Sequence, residues 1–348
     1  MLAVTSHGDR DIRVEEVEKP GLRESTDALV RVTTSALCGT DMHIYHGKVP
    51  NVPDGWIVGH EFCGVVEEIG DGVTNIAPGD RVVSAMYTAC GACAACVAGN
   101  HRACPNFAMF GMGESWGALP GGQAEYVRVP LAGMTLRGIP GNLSDESTIF
   151  TGDILATAFT ALRQSDTSEG DTVAVVGAGP VGQMIAMCAS LFGVARAFII
   201  DIVPERLAES ERFGVTTINP TEQDPRELIK EQTDGRMCDT VFEAVGSAPA
   251  LKTAFSLPRP NGVVALVGMP LGEQFPLGAG DAWLRNTKII PILGSPFNHR
   301  DELLRLIAAG KIDAASVITD RVPLSDASEA YRAFDNQEVR KVVFEVST

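Results

Sequence analysis

The segment TVAVVGAGPVGQMIAMCASLFG, residues 172–193, constrains the fold more than any other stretch of this chain. A β-branched run passes into the spacing G-x-G-x-x-G at Gly177, Gly179 and Gly182, and then into a helical pattern. The spacing alone is weak, because glycine is common; a strand before it and a helix after it are the context its mechanism requires. Gly177 allows the tight turn, Gly179 lets the backbone approach a pyrophosphate, and Gly182 lets helix and strand pack closely. Pro180 and Val181 open the helix, whose unpaired N–H groups attract phosphate. Nineteen residues beyond Gly182, Asp201 ends the strand AFIID, where a carboxylate can accept hydrogen bonds from adenosine ribose hydroxyls and repel a 2′-phosphate. NAD is therefore expected over NADP, with Arg206 as the nearby cation that keeps some NADP use open. The alternative is a glycine-rich turn in a fold that binds nothing.

Strand and helix patterns continue to alternate through PERLAESERFG, DTVFEAVG and GVVALVG, which predicts a doubly wound parallel α/β sheet with helices on both faces over residues 154–290. Val267 and Met269, flanking Gly268 after the last of these strands, are expected beside a nicotinamide ring. Residues 1–153 have a different texture. ALVRVTTSAL, GHEFCGVVEEIG, GDRVVSA and AEYVRVP are short β-branched runs bounded by turn residues, as in a partly open β-barrel or sandwich. Residues 291–348 offer a helix at RDELLRLIAAGKI, another around SEAYRAF and a terminal strand KVVFEV, read as returning to the first domain. A length of 348 residues suits two domains, each with its own core.

Four of the eight cysteines fall in CGACAACVAGNHRAC, at Cys90, Cys93, Cys96 and Cys104. Two-residue gaps let neighbouring thiolates converge on one ion, and four thiolates fill a tetrahedral Zn²⁺ with no position left for substrate. The expected role is structural. An iron–sulfur cluster or a redox dithiol would use the same residues. Disulfides are disfavoured, because the N-terminus lacks the basic start and apolar run of a signal peptide and no apolar stretch reaches membrane-spanning length. A cytoplasmic location is the expectation that follows. The net charge of −16 argues against nucleic acid or an anionic membrane as partner.

A second constellation is dispersed: C-G-T-D-x-H from Cys38, G-H-E with His60 and Glu61, and TGDILATAF with Asp153. Taken singly, each residue has an ordinary explanation: Cys38 as a small buried hydrophobe, His60 as a core histidine, Asp153 as a helix N-cap. In this order, and followed by the four-cysteine lobe and the glycine turn, the motifs resemble the zinc-dependent alcohol dehydrogenases of the medium-chain dehydrogenase/reductase superfamily over essentially the whole chain. The resemblance implies a GroES-like β-barrel catalytic domain joined to a Rossmann domain, with the active site in the cleft. It implies two Zn²⁺ per chain, and Cys38, His60 and Asp153 as ligands of the catalytic one. Aspartate stands where many members have a second cysteine. Glu61 matches a carboxylate that is a ligand in some members and lies behind the ligands in others.

By the same resemblance Thr40 meets the substrate oxygen, His43 passes the proton on, Asp41 orients the histidine ligand and Arg340 contacts the cofactor pyrophosphate. The last could equally be a solvent-exposed charge at a strand start. His46 is read as a loop histidine. The largely apolar set Thr40, Met86, Phe110, Trp116, Ile154, Leu155 and Trp283 predicts an apolar or aromatic alcohol and its aldehyde or ketone as substrates. Two further likenesses hold other substrates open. GMGESWGALPGGQAEYVRVP is similar to formaldehyde dehydrogenases, although their NAD-burying segment has no counterpart, and CGTDMHIY is similar to threonine and polyol dehydrogenases. The family implies a homotetramer or homodimer. A zinc- and nucleotide-binding redox sensor without activity is the reading from another class.

Overall fold

The chain folds as two units, Met1–Ala156 with Ser295–Thr348, and Thr157–Gly294. The structure is a computed structural model and describes residues 1–270, 275, 276 and 278–346. The sequence placed the divisions at 153/154 and 290/291; the chain divides at 156/157 and 294/295, so the helix Ile154–Gln164 begins in one unit and ends in the other.

The second unit is built on a six-stranded sheet whose pairings are all parallel. Thr172–Val176 is buried along its whole length. That is why its sequence is a continuous apolar run rather than an alternation. From this strand the chain moves outward to Arg196–Ile200 and Thr216–Ile218, then crosses to Cys238–Glu243 and continues to Pro258–Leu266 and Lys288–Pro291. Written in chain order, the strands lie 3-2-1-4-5-6, a Rossmann sheet whose direction reverses between Thr172–Val176 and Cys238–Glu243. One face is sealed by Val176, Phe198, Val241, Leu251 and Phe255, all buried.

The first unit carries a seven-stranded sheet and a three-stranded one. Its central strand, Ala28–Ala36, pairs antiparallel with Glu61–Ile69, Tyr126–Val129 and the C-terminal Val342–Glu345. Two register shifts along it, between Leu29 and Val30 and between Val32 and Thr34, mark bulges that bend the strand and deepen its twist. One pairing matters most for function. Ala36 lies opposite Glu61, so the chain just beyond the end of one strand meets the chain just before the start of the next. Cys38 and His60, far apart in sequence, are thereby brought together.

Candidate active site

Sulfur of Cys38, imidazole nitrogen of His60 and carboxylate oxygen of Asp153 lie within 4.8 Å of one another, and all three residues are buried. The first two are placed by the Ala36–Glu61 register. The third is placed by a close backbone approach: a Cβ on Gly152 would sit 2.0 Å from the Ser84 carbonyl oxygen, and that glycine's own carbonyl accepts the N–H of Met86 at 3.0 Å. Only glycine there lets Asp153 reach the strand end. Its carboxylate turns toward His60, with Oδ2 3.1 Å from Nε2.

The donor set fits a metal ion on its own chemistry. A thiol, an imidazole and a carboxylate are buried together, and burial drives the Cys38 thiol upward. Burial also opposes the charge on His60, yet Asp41, Cys38 and Asp153 outweigh it and hold the imidazole well above its ordinary value. The site thus calls for positive charge between these groups. Tetrahedral zinc with ligand bonds of about 2.0–2.3 Å sets ligand atoms roughly 3–4 Å apart, and the observed spacing accommodates it. Three protein ligands leave a fourth position for a small molecule.

Behind the ligands, Asp41 Oδ1 lies 3.1 Å from His60 Nδ1, though the ring N–H is not aimed along that line and both atoms lack a directed hydrogen bond. Glu61 is fully buried and ion-paired with Lys341, whose ammonium also donates to the Leu37 carbonyl at 2.9 Å. Burial pushes the Glu61 carboxyl up to about 7 despite that ammonium. Arg340, close by in sequence, is the residue expected at the cofactor pyrophosphate. Arg340 is half-buried, with its N–H on the Thr319 hydroxyl, and the fully buried cation is its neighbour Lys341. No local signal marks Lys341, because its partner stands 280 residues away.

Thr40 and His43 are both only partly buried. Thr40 caps the five-residue helix Asp41–Tyr45 and spends no side-chain hydrogen bond on the cap. His43 is half-buried, and burial, Lys48 and His46 hold its imidazole below the ordinary 6.5. His46 Nε2 lies 2.9 Å from a carboxylate oxygen of Asp335. Of the expected lining residues in this unit, Met86, Phe110, Ile154 and Leu155 are buried, Phe110 edge-on to Phe62 at 5.2 Å, while Trp116 is half-exposed. Trp283, in the other unit, is 80% exposed on the helix Ala279–Arg285.

In the lobe, the four sulfurs of Cys90, Cys93, Cys96 and Cys104 lie within 4.8 Å of one another, with Cys90 and Cys96 4.0 Å apart. A disulfide requires about 2.05 Å, whereas four thiolates at about 2.3 Å from one tetrahedral ion stand roughly 3.8 Å apart. All eight cysteines of the chain are free. Backbone N–H groups of Cys93, Cys90 and Asn106 point at the sulfurs of Cys90 and Cys104 at 3.3–3.4 Å, as suits thiolates rather than thiols.

In the Rossmann unit each glycine of the turn has its own reason. Gly177 has φ +104°, where a side chain is strained, and a Cβ on Gly182 would sit 1.9 Å from the Gly177 carbonyl oxygen. A Cβ on Gly179 would meet nothing within 4 Å, so the N-terminus of the helix Pro180–Ala189 is open to an approaching group. Asp201 accepts the N–H of Ala178 at 2.7 Å and of Val203 at 3.0 Å, with Arg206 3.7 Å away. Val181, Val267 and Met269 are half-exposed. The N–H groups of Val267 and Gly268 reach the Glu243 carbonyl, tying together the C-terminal ends of the neighbouring strands Cys238–Glu243 and Pro258–Leu266.

Comparison with known proteins supplies the wider context. The alcohol dehydrogenase GroES-like domain family matches residues 24–138, and the zinc-binding dehydrogenase family matches residues 180–309. A zinc-type alcohol dehydrogenase-like protein of Bacillus subtilis, AdhB, is 33% identical, with 97% of each chain covered. Sorbitol dehydrogenase of the same organism is 30% identical over 99% of this chain and 97% of its own. Alcohol dehydrogenase TADH from Thermus sp. ATN1 superimposes over the whole of both chains with a TM-score of 0.95 at 38% identity. A zinc-binding dehydrogenase of Sinorhizobium meliloti bound to NADP does so with a TM-score of 0.87 at 30% identity, over 100% of this chain and 99% of that one.

Proposed function

The chain belongs to the zinc-dependent alcohol dehydrogenases of the medium-chain dehydrogenase/reductase superfamily, and from that premise we propose that it is an NAD-linked enzyme interconverting an apolar or aromatic alcohol with its aldehyde or ketone. The observation that carries this reading is the convergence of Cys38, His60 and Asp153 in one buried cluster. When bound, zinc supplies a Lewis acid for the alcohol oxygen and the nicotinamide supplies a hydride acceptor.

The chain's own residues do the rest. Cys38, His60 and Asp153 hold the catalytic ion; Cys90, Cys93, Cys96 and Cys104 hold a second, structural one. The Thr40 hydroxyl accepts the alcohol proton and passes it to a ring nitrogen of His43. With its pKa lowered by burial and Lys48, His43 is neutral at pH 7 and ready to receive that proton. In the Rossmann unit, Gly177, Gly179, Pro180, Val181 and Gly182 cradle the pyrophosphate and Val267 and Met269 lie along the nicotinamide. Asp201 binds the ribose hydroxyls with the lone pairs that its two amides leave free. Arg206, within 3.7 Å of that carboxylate, is the feature that favours some NADP use. Arg340 contacts the pyrophosphate.

Self-association as a homotetramer or homodimer is part of the same reading. The edge strand Lys288–Pro291 and the exposed Phe275, Trp283 and Leu284 of the Rossmann unit support it. No described helix is long and apolar enough to cross a membrane. Eight free cysteines support a cytoplasmic location.

Reduction of NAD and of NADP by purified protein, across alcohols from formaldehyde hydrate and ethanol to secondary, aromatic and polyol substrates and threonine, tests the proposal. Rapid NAD turnover with aryl or medium-chain alcohols, lost in Asp153→Ala, is the expected result. Turnover confined to polyols or threonine would keep the mechanism and overturn the apolar substrate, a reading that likeness to a sorbitol dehydrogenase favours. Silence across the panel by zinc-loaded protein would leave a binding protein.

A further inference from the structure

For His60 to offer Nε2 to a metal ion, its proton must sit on Nδ1 and be held by an acceptor. Asp41 Oδ1, 3.1 Å from Nδ1, is within reach to be that acceptor once the ring turns its N–H toward it. Whatever fixes the plane of the Asp41 carboxylate therefore fixes the ring. Its other oxygen, Oδ2, accepts the backbone N–H of Cys38 at 3.0 Å and a side-chain N–H of Gln123 at 3.2 Å. The second amide hydrogen of Gln123 goes to the Ala36 carbonyl at 3.1 Å, and its Oε1 accepts the Tyr331 hydroxyl at 2.8 Å. Gln123 and Tyr331 are fully buried. Reversing the amide would turn its oxygen toward a carboxylate and a carbonyl, so the network admits one orientation. The Tyr331 ring also packs 5.9 Å from Tyr45, on the same short helix that begins with Asp41.

The backbone makes room for this glutamine at some cost. A Cβ on Gly59, the residue before His60, would lie 2.3 Å from Gln123 Cγ. Gly121 and Gly122 bring the strand entry carrying Gln123 so close that added Cβ atoms would lie 2.0 Å from the Val58 carbonyl oxygen and 2.1 Å from the Phe62 ring. We propose that Gln123, itself held by Tyr331, is a positioning residue that fixes Asp41 and, through it, the orientation and tautomer of His60. It touches neither metal nor substrate. The proposal rests on reading Cys38, His60 and Asp153 as a metal site.

The test compares the zinc-loaded full chain with its Gln123→Leu and Tyr331→Phe variants by chelator competition and by the visible spectra of their cobalt-substituted forms. Wild type is expected to release zinc in two classes. Gln123→Leu should release the ion of the three-ligand site about tenfold more readily and shift its cobalt bands, leaving the four-thiolate ion unchanged. Tyr331→Phe, which loses a hydroxyl and no volume, should move in the same direction by less. Unchanged release and spectra in both variants would overturn the proposal even if their thermal midpoints fell, since packing alone would lower the midpoint. Should Gln123→Leu fail to fold, Tyr331→Phe decides alone. One class of zinc in the wild type would overturn the metal-site reading, and this proposal with it, before any variant is made.

Discussion

Gly59→Ala puts a number on the crowding behind His60. At φ +90° an alanine is strained, which costs about 1–2 kcal/mol. Its methyl would also fall 2.3 Å from Gln123 Cγ, 2.7 Å from Cδ and 2.9 Å from Nε2. The amide cannot swing away freely, because its three polar contacts are all buried, so the clash adds about 1–3 kcal/mol of overpacking. A total of about 2–5 kcal/mol is expected, and for a unit of this size each kcal/mol lowers the thermal midpoint by roughly 2–4 °C. Calorimetry of the zinc-loaded protein should therefore show a fall on the order of 10 °C. The two contributions separate in a Gln123→Ala background, where the clash is gone and only the backbone strain remains, so Gly59→Ala should cost about 1–3 kcal/mol less there. Equal cost in both backgrounds would refute the steric half of the reasoning. A midpoint within about 2 °C of wild type would refute both halves.

Three other perturbations probe separate parts of the molecule. Burial holds the Glu243 carboxyl above 4.5, outweighing the Gly246 and Val245 amides that favour its anion. A carboxyl raised in the folded state contributes stability that is complete below its unfolded value and is lost as pH rises through the folded one. Glu243→Gln lacks that loss, so its midpoint relative to wild type should climb between pH 4.5 and 8; parallel profiles would remove burial as the cause. Asp201→Asn removes the charge that opposes a 2′-phosphate and, because the Ala178 and Val203 amides bind different oxygens, keeps an acceptor for only one of them; kcat/KM for NADP relative to NAD should rise roughly tenfold, about 1.4 kcal/mol, and no change would mean that the selection lies elsewhere. Cys93→Ser should leave one zinc per chain by elemental analysis and lower the midpoint steeply, because metal binding in such lobes is folding energy; a variant with two zinc ions and the wild-type midpoint would end the structural reading of the lobe.

What could be read from sequence follows from the distance over which each need acts. The glycine turn was legible because its requirements are local: a positive φ at Gly177 and a helix pressed on a strand at Gly182 are settled within six residues. The lobe was legible for the same reason, its four sulfurs lying within fifteen consecutive residues. Cys38, His60 and Asp153 carried no such signal individually. Only the resemblance grouped them, and the physical cause of their meeting is a strand register and a glycine contact that local sequence does not encode. Gln123 and Lys341 went unread because their partners stand 82 and 280 residues away. At the C-terminus the sequence singles out Arg340 for a cofactor contact, while its neighbour Lys341, just before the strand Val342–Glu345, carries the buried ion pair with Glu61.

The arrangement that results divides the site into a side that packing fixes and a side that it leaves open. Cys38, His60 and Asp153 are buried, and behind them stand Asp41, Gln123, Glu61 and Lys341, also buried. Gly59, Gly121, Gly122 and Gly152 admit no side chain without a collision. Such packing suits the proposed metal site: ligands held so closely would lose little freedom when an ion binds, and their geometry would not drift as substrates come and go. Thr40 and His43 are only partly buried, on a helix of five residues whose first turn is tied down by Asp41. Substitutions on the packed side should therefore act first on zinc affinity and stability. On the proposed mechanism, substitutions around Thr40 and His43 should act first on which alcohol is accepted and how its proton leaves, leaving the zinc affinity of the packed side close to wild type.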